Sequence, residues 1–192
     1  MDTDEIRRGI LNKYRQVAVS PTGAFRYPVG EQSALDLGYS TQLIGAVTTR
    51  NRERFVGVGN PFALGPIRPG SVVLDLGCGA GVDALVAALV VGPSGRVVGC
   101  DLSPDMLAVA REGGETLRLP NIEFIQADIE GLPLAGCSFD VALSNGALNL
   151  VSEKPKAFRE IFRVLKPGGR LQACDISLVG DTPPPDKSPW SD

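Results

Sequence analysis

The chain has 192 residues, with 19 lysines and arginines against 22 aspartates and glutamates, for a formal net charge of −3. That length suits one domain with a substantial core, and the near balance of charge, with no run of one sign, argues against nucleic acid as a partner. There is no histidine, and the four cysteines, Cys78, Cys100, Cys137 and Cys174, are scattered, so a histidine triad and a zinc centre are excluded and no metal site is expected.

The first residues, Met1-Asp2-Thr3-Asp4-Glu5, lack the basic and apolar regions of a signal peptide, and Ala84 to Val91 is ended by Gly92-Pro93 well short of a membrane span. A soluble, cytoplasmic protein with no membrane partner is the expectation. Ile6, Ile10, Tyr14 and Val17 recur at helical spacing, which predicts an amphipathic helix over Asp4 to Val17, stopped before Ser20-Pro21. Gly23 to Tyr39 carries Pro28, Gly30 and Gly38 with little periodicity and reads as loop, whereas Thr41 to Val47 suits a short helix. Residues 1–69 are expected to form a cap and lid, with a boundary near Pro69-Gly70.

From Val72 onward strand and helix patterns alternate. Strands are predicted at Val72 to Leu76, Arg96 to Asp101, Ile122 to Gln126, Phe139 to Ser144 and Arg170 to Ile176. Helices are predicted at Val82 to Val91, from Ser103-Pro104-Asp105, where serine caps and proline fits the first turn, and at about Lys154 to Leu165. Such alternation builds an α/β fold, Rossmann-like and doubly wound, with a mostly parallel sheet over residues 70–180. Residues 181–192, with Pro183-Pro184-Pro185, read as an irregular tail.

In such sheets ligands sit beyond the carboxyl ends of the strands, and those ends carry the informative residues. Gly77-Cys78-Gly79-Ala80-Gly81 follows the first strand, where glycines allow a tight turn and close approach to a ligand. Asp101 ends the second strand about twenty residues on, the place of a carboxylate that accepts ribose hydroxyls. The pattern predicts an adenosine-containing cofactor. Val82-Asp83 stands where a dinucleotide site has its third glycine, and Asp75 and Asp83 disfavour a pyrophosphate while tolerating an ammonium and a sulfonium. S-adenosyl-L-methionine is therefore favoured over NAD. Asp128, after the third strand, suits an adenine amino group or a helix cap, with Leu102 and Ile129 sandwiching the base.

Taken in order, Asp75-Leu-Gly-Cys-Gly-Ala-Gly81, Asp101, Gln126-Ala-Asp128, Ser138-Phe-Asp-Val141 and Leu165-Lys-Pro-Gly-Gly-Arg170 resemble the successive motifs of class I S-adenosylmethionine-dependent methyltransferases. The resemblance implies that Gly77, Cys78 and Gly79 line the methionine part, Asp101 the ribose, Asp128 and Ile129 the adenine, and Asn145 the backbone edge near the sulfonium. A narrower resemblance, to the arsenite methyltransferase family, is carried by Gly38-Tyr39-Ser40, Gly57-Val58-Gly59-Asn60-Pro61, Ser144 to Leu150 and Phe158 to Lys166. That family holds As(III) with cysteine thiolates, one just before or within the Gly-Asn-Pro segment and one in the Ser-Asn segment. Here those places read Val56-Gly57-Val58 and Asn145-Gly146-Ala147, so the soft ligands that As(III) needs are missing. Cys174, on the last strand, is the remaining thiol with a chance of facing the site.

The expected activity is methyl transfer to a small-molecule acceptor, with Asp175, Tyr14 and Tyr39 as candidate bases should the acceptor carry a proton. Rival readings are a catalytically silent cofactor-binding module and a nucleotide-dependent Rossmann oxidoreductase. The resemblance further implies two more strands after the fifth, whereas about sixteen proline-rich residues follow Ile176. The chain is thus expected to be a shortened form that leaves its fifth strand near an exposed edge. One such cause, a selenocysteine codon read as a stop, would show as an in-frame TGA after the codon for Asp192.

Overall fold

The computed structural model describes residues 3–177; the tail expected at 181–192 lies outside them. Five strands, β1 (Val72–Leu76), β2 (Arg96–Asp101), β3 (Ile122–Gln126), β4 (Phe139–Asn145) and β5 (Leu165–Cys174), pair in parallel in the order β3-β2-β1-β4-β5. Four of the five residues of β1 are buried, as its apolar run requires of a strand covered on both faces. Alternation along each strand divides the core in two. Val73, Val97, Val141 and Leu143 face one cluster; Leu74, Leu76, Val98, Cys100 and Ala142 face the other.

The first cluster is filled by α5 (Val82–Val91), apolar nearly all round, together with Ile44 and Val47 from α3 (Thr41–Ala46) and its end, and by Tyr39 and Phe55. The second is filled by Ala157, Ile161 and Val164 of α7 (Lys154–Val164). A third, smaller cluster joins α1 (Thr3–Val19), through Val17 and Ala18, to Met106 and Val109 of α6 (Pro104–Thr116). Ser103 caps α6 as predicted, its hydroxyl accepting from Met106 N at 3.3 Å. Thr48 likewise caps the short α4 (Thr49–Arg52).

Two expectations are corrected. The segment read as loop over Gly23 to Tyr39 contains α2 (Gly30–Asp36). Its sequence, Gly-Glu-Gln-Ser-Ala-Leu-Asp, offers two apolar residues and hence almost no helical periodicity, and its buried residues, Gly30, Ser33 and Ala34, are small. The last strand starts at Leu165 and ends at Cys174, not at Arg170 and Ile176. Leu165 pairs with Phe139 and Arg170 with Val141, so residues 166–169 bulge past the single residue Asp140. Lys166 closes the bulge by donating to Asp140 at 2.8 Å, while Ile176 is 52% exposed. Among the described residues β5 is an edge strand, as expected.

Candidate functional site

The turn after β1 is shaped by what its glycines must avoid. Gly77 and Gly81 have φ of +68° and +83°, and a Cβ on them would lie 2.4 Å from Ala147 Cβ and 2.8 Å from Ala110 Cβ. Glycine is required at both places for conformation and for packing. Two polar side chains then hold the turn from outside. Asp101 accepts from Gly79 N and from Ser103 N, each at 2.8 Å. Asn51, buried on α4, donates to Ala80 O at 2.6 Å and Val109 O at 3.1 Å, tying the loop to α6.

Beyond the strand ends lies a cleft open to solvent, with about 980 Å³ of empty space when the solvent at its mouth is included. All nine residues singled out in the sequence, Asp75, Gly77, Cys78, Gly79, Asp101, Leu102, Asp128, Ile129 and Asn145, line it. Three carboxylates dominate its floor. Asp75 is 2% exposed, receives one backbone hydrogen bond from Ala84, and leaves Oδ2 without a partner. Burial, then repulsion from Asp83 and Asp101, pushes its carboxyl well above the usual range. Asp83, in the first turn of α5, is pushed up to about 6 by burial, against the lowering effect of hydrogen bonds from Tyr39 and Asn145. Asp101 is also raised by burial, opposed by the backbone N–H groups it accepts.

Asn145 does more than line an edge. Its Oδ1 accepts from Val58 N at 2.8 Å and Gly59 N at 3.1 Å, and its Nδ2 lies 2.9 Å from Gly59 O, 3.0 Å from Asp83 Oδ2 and 3.1 Å from Tyr39 Oη. Tyr39 in turn donates to Asp83 Oδ1 at 2.5 Å. One amide at the end of β4 therefore seats the Gly57–Gly59 segment over the cleft. A Cβ at Gly57 would come 2.4 Å from Asn145 Nδ2, so this seat accepts only glycine.

The opposite wall comes from α1. Arg7, Ile10 and Tyr14 line the cleft. Arg7 pairs with Asp128 and, at 3.5 Å, with Glu130. At the other end of α1, Arg54 donates to Ala18 O at 2.7 Å and Val19 O at 2.8 Å, satisfying carbonyls the helix end leaves open. Asp128 Oδ1 also accepts from Glu130 N at 2.9 Å, which closes a turn; no helix lies between β3 and β4, so the helix-cap reading is corrected and the cleft position stands.

The remaining candidates separate cleanly. Tyr14 reaches the cleft and Tyr39 lies beside it, but burial raises both phenols, away from a base's range. Asp175 is exposed and occupied by the backbone N–H groups of Asn149 and Ile176. Cys174 is not among the lining residues; it packs under Gly59, where a Cβ would meet its Sγ at 2.8 Å. Val56, Gly57, Gly146 and Ala147 do line the cleft, and a Cβ at Gly146 would face both Val58 methyls at 3.5 Å. The two segments compared with the arsenite family thus meet here without a thiol, the hydrogen of Gly146 facing the isopropyl group of Val58.

This sheet, with a glycine turn after its central strand and a carboxylate pinned to that turn from the next, has the fold of class I S-adenosylmethionine-dependent methyltransferases. Residues 67–188 match the family described as a methyltransferase domain, and the chain belongs to it. It is 41% identical over 147 residues to an arsenite methyltransferase of Halobacterium salinarum, covering 77% of this chain and 37% of that protein. It is also 41% identical over 112 residues to a ubiquinone/menaquinone biosynthesis C-methyltransferase, UbiE, of Pasteurella multocida, covering 58% of this chain and 42% of that one. Among solved structures, an arsenic(III) S-adenosylmethionine methyltransferase from Chlamydomonas reinhardtii is similar at 36% identity with a TM-score of 0.58, over 78% of this chain and 50% of that chain. The chain spans well under two thirds of the length of these relatives. Among the described residues no helix is long and apolar enough to cross a membrane.

Proposed function

We propose that this chain binds S-adenosylmethionine in the cleft and transfers its methyl group to a small organic acceptor other than trivalent arsenic. The observation that carries the reading is Asp75: a buried side chain on the cleft wall whose Oδ2 has no protein partner, with the carboxylates of Asp83, Asp101, Asp128 and Glu130 lining the same cleft. Such an atom is costly to leave unpaired, and a ligand bearing ammonium and sulfonium charges supplies what it lacks. A pyrophosphate would be repelled from the same place, which disfavours the dinucleotide oxidoreductase.

In this reading Asp101 accepts from the ribose hydroxyls with the lone pairs left by Gly79 N and Ser103 N. Leu102 and Ile129 flank the adenine, Asp128 with its partner Arg7 meets the adenine edge, and Gly77, Cys78 and Gly79 line the methionine part. The bound donor supplies an electrophilic methyl carbon, open to in-line attack by an acceptor lone pair. The chain's contribution is alignment and exclusion of water, with Ile10, Tyr14, Phe55 and Leu150 as the apolar walls. With both phenols held protonated, neither tyrosine serves as base. Val56, Gly57, Gly146 and Ala147 line the cleft and present no soft ligand, which supports an organic acceptor with apolar surface.

Titration calorimetry with S-adenosylhomocysteine tests the reading directly. One-to-one binding is expected in the full chain, with strong loss in Asp101→Ala. Absence of heat with this ligand, together with binding of NAD, would reverse the assignment.

A further inference from the structure

Three of the carboxylates that line the cleft, Asp75, Asp83 and Asp101, share a feature that ribose or backbone recognition alone does not explain: the ion pairs seen among the described residues include none of them. Asp101 is held by backbone N–H groups, Asp83 by a phenol and an amide, and Asp75 by one backbone N–H. The two arginines that line the cleft are committed elsewhere, Arg7 to Asp128 and Glu130, Arg54 to helix-end carbonyls. The groups facing the Asp75 and Asp83 pair from the surrounding elements are Asp101 from β2, Tyr39 from the α2–α3 connection, Asn145 from β4, and the thiols of Cys78, Cys100 and Cys174. Every titratable one among them is neutral or negative. Asp75 Oδ2 is the unpartnered atom at the centre of this arrangement, on a side chain 2% exposed.

We propose that Asp75 and Asp83 read the charge of the cofactor, binding the methylated sulfonium form more tightly than the neutral thioether left after transfer. This rests on the cofactor reading above and extends it to specificity: the residues that accept the donor are the ones that release the product. A buried carboxylate without a counter-ion is driven toward its protonated form by desolvation. A fixed positive charge beside it favours the ionised form and, by linkage, is bound more strongly where the carboxylate is already ionised. The ammonium and carboxylate of the methionine part are common to both cofactor forms, so the difference between them isolates the sulfonium. Asp83 also accepts from Tyr39 and Asn145, and hydrogen bonds to a carboxylate strengthen when it is charged. The Gly57–Gly59 seat, which hangs on Asn145, is accordingly firmest when the methylated cofactor is bound.

The test compares dissociation constants of S-adenosylmethionine and S-adenosylhomocysteine on the full chain from pH 5 to 8, by calorimetry in two buffers of different ionisation heat. The expected result is a preference of about tenfold or more for the methylated form at pH 8, equivalent to a pKa displacement of about one unit. That preference should shrink toward unity as pH falls through about 6, where Asp83 takes up its proton. Near the midpoint, proton release should accompany binding of the methylated form and be smaller with the thioether. Asp83→Asn should flatten the pH dependence. Tyr39→Phe keeps the carboxylate but removes a hydrogen bond that lowers its pKa, so it should move the midpoint upward. A preference that is constant across this pH range, or that survives unchanged in both Asp75→Asn and Asp83→Asn, would overturn the proposal while leaving the cofactor reading intact. Failure of both ligands to bind would remove the cofactor reading itself.

Discussion

Replacing Asp75 by asparagine should make the ligand-free protein more stable and its cofactor binding worse. The side chain stands at the end of the central strand, 2% exposed, with one oxygen bonded from the Ala84 backbone and the other unpartnered. Asparagine is isosteric: its carbonyl keeps the Ala84 bond, and its amide faces the Asp83 and Asp101 carboxylates that now repel Asp75. An uncompensated buried polar group costs about 1–3 kcal/mol, more when charged, so a gain of about 2 kcal/mol is expected at pH 8. For a chain of this length that is roughly 4–8 °C in melting temperature. The sign follows from linkage. Folding raises this carboxyl above its unfolded value, so the native state is favoured while the group is protonated in both states and loses that advantage as pH rises past about 3.8. The stabilisation by asparagine should accordingly be larger at pH 8 than at pH 4 and vanish below the unfolded value. Thermal melts of both proteins at the two pH values, with and without S-adenosylhomocysteine, measure it. A variant that melts lower than the parent at pH 8, or that gains equally at both pH values, would show that Asp75 is not an uncompensated charge. An undiminished ligand-induced shift in melting temperature would show that it does not face the cofactor.

Asp101→Ala should weaken S-adenosylhomocysteine binding by about 2 kcal/mol, roughly thirtyfold, and Asp101→Asn by less, since one acceptor remains for the backbone; equal affinities by calorimetry would deny the contact. Arg7→Met removes a half-exposed pairing of α1 with Asp128 and Glu130, worth about 1 kcal/mol or less, so stopped-flow dissociation of the ligand should quicken about two- to fivefold, and an unchanged rate would mean that α1 does not gate the cleft. The parent chain should turn over As(III) negligibly in the presence of glutathione and methyl donor, which mass spectrometry of methylated arsenicals reports. Because Val58 and a Cβ at position 146 face each other at 3.5 Å, the double variant Val58→Cys with Gly146→Cys should gain an arsenite-dependent rise in melting temperature; the same rise in the parent would place the thiols elsewhere.

The first four strands were legible because each is a short, largely apolar run with turn residues soon after it, whereas the ends of β5 were not, because Lys166 to Gly169 bulge out of the ladder. The nine cleft residues were legible for a related reason: in a parallel sheet, strand ends are the only places where the chain offers polar groups to one side. What stayed hidden is non-local. Tyr39 and Asp83 are 44 residues apart, Asn145 and Tyr39 106, and Arg7 and Asp128 121, and no periodicity encodes which distant polar groups will meet. The helix α2 escaped for the opposite reason, since its contacts are made by small residues that carry no hydrophobic signal.

Asn145 is followed by Gly146, and that dipeptide has a chemical liability as well as a structural role. In an open chain the glycine nitrogen attacks the neighbouring side-chain carbonyl, closing a succinimide and expelling ammonia, because no Cβ stands in the way. Here both partners of that reaction are tied: Gly146 N donates to Cys174 O at 2.8 Å, and both ends of the Asn145 amide are fixed by hydrogen bonds from or to the Gly57–Gly59 backbone. The fold therefore preserves the residue it depends on. Should the segment open, deamidation would set a new carboxylate beside Asp83 and turn a donor into a repelling acceptor, so that the damage would keep the segment from reseating. Ageing would then act as a one-way record of opening, readable by peptide mass spectrometry as ammonia lost and water gained at this single position, slower in the presence of S-adenosylhomocysteine than without it.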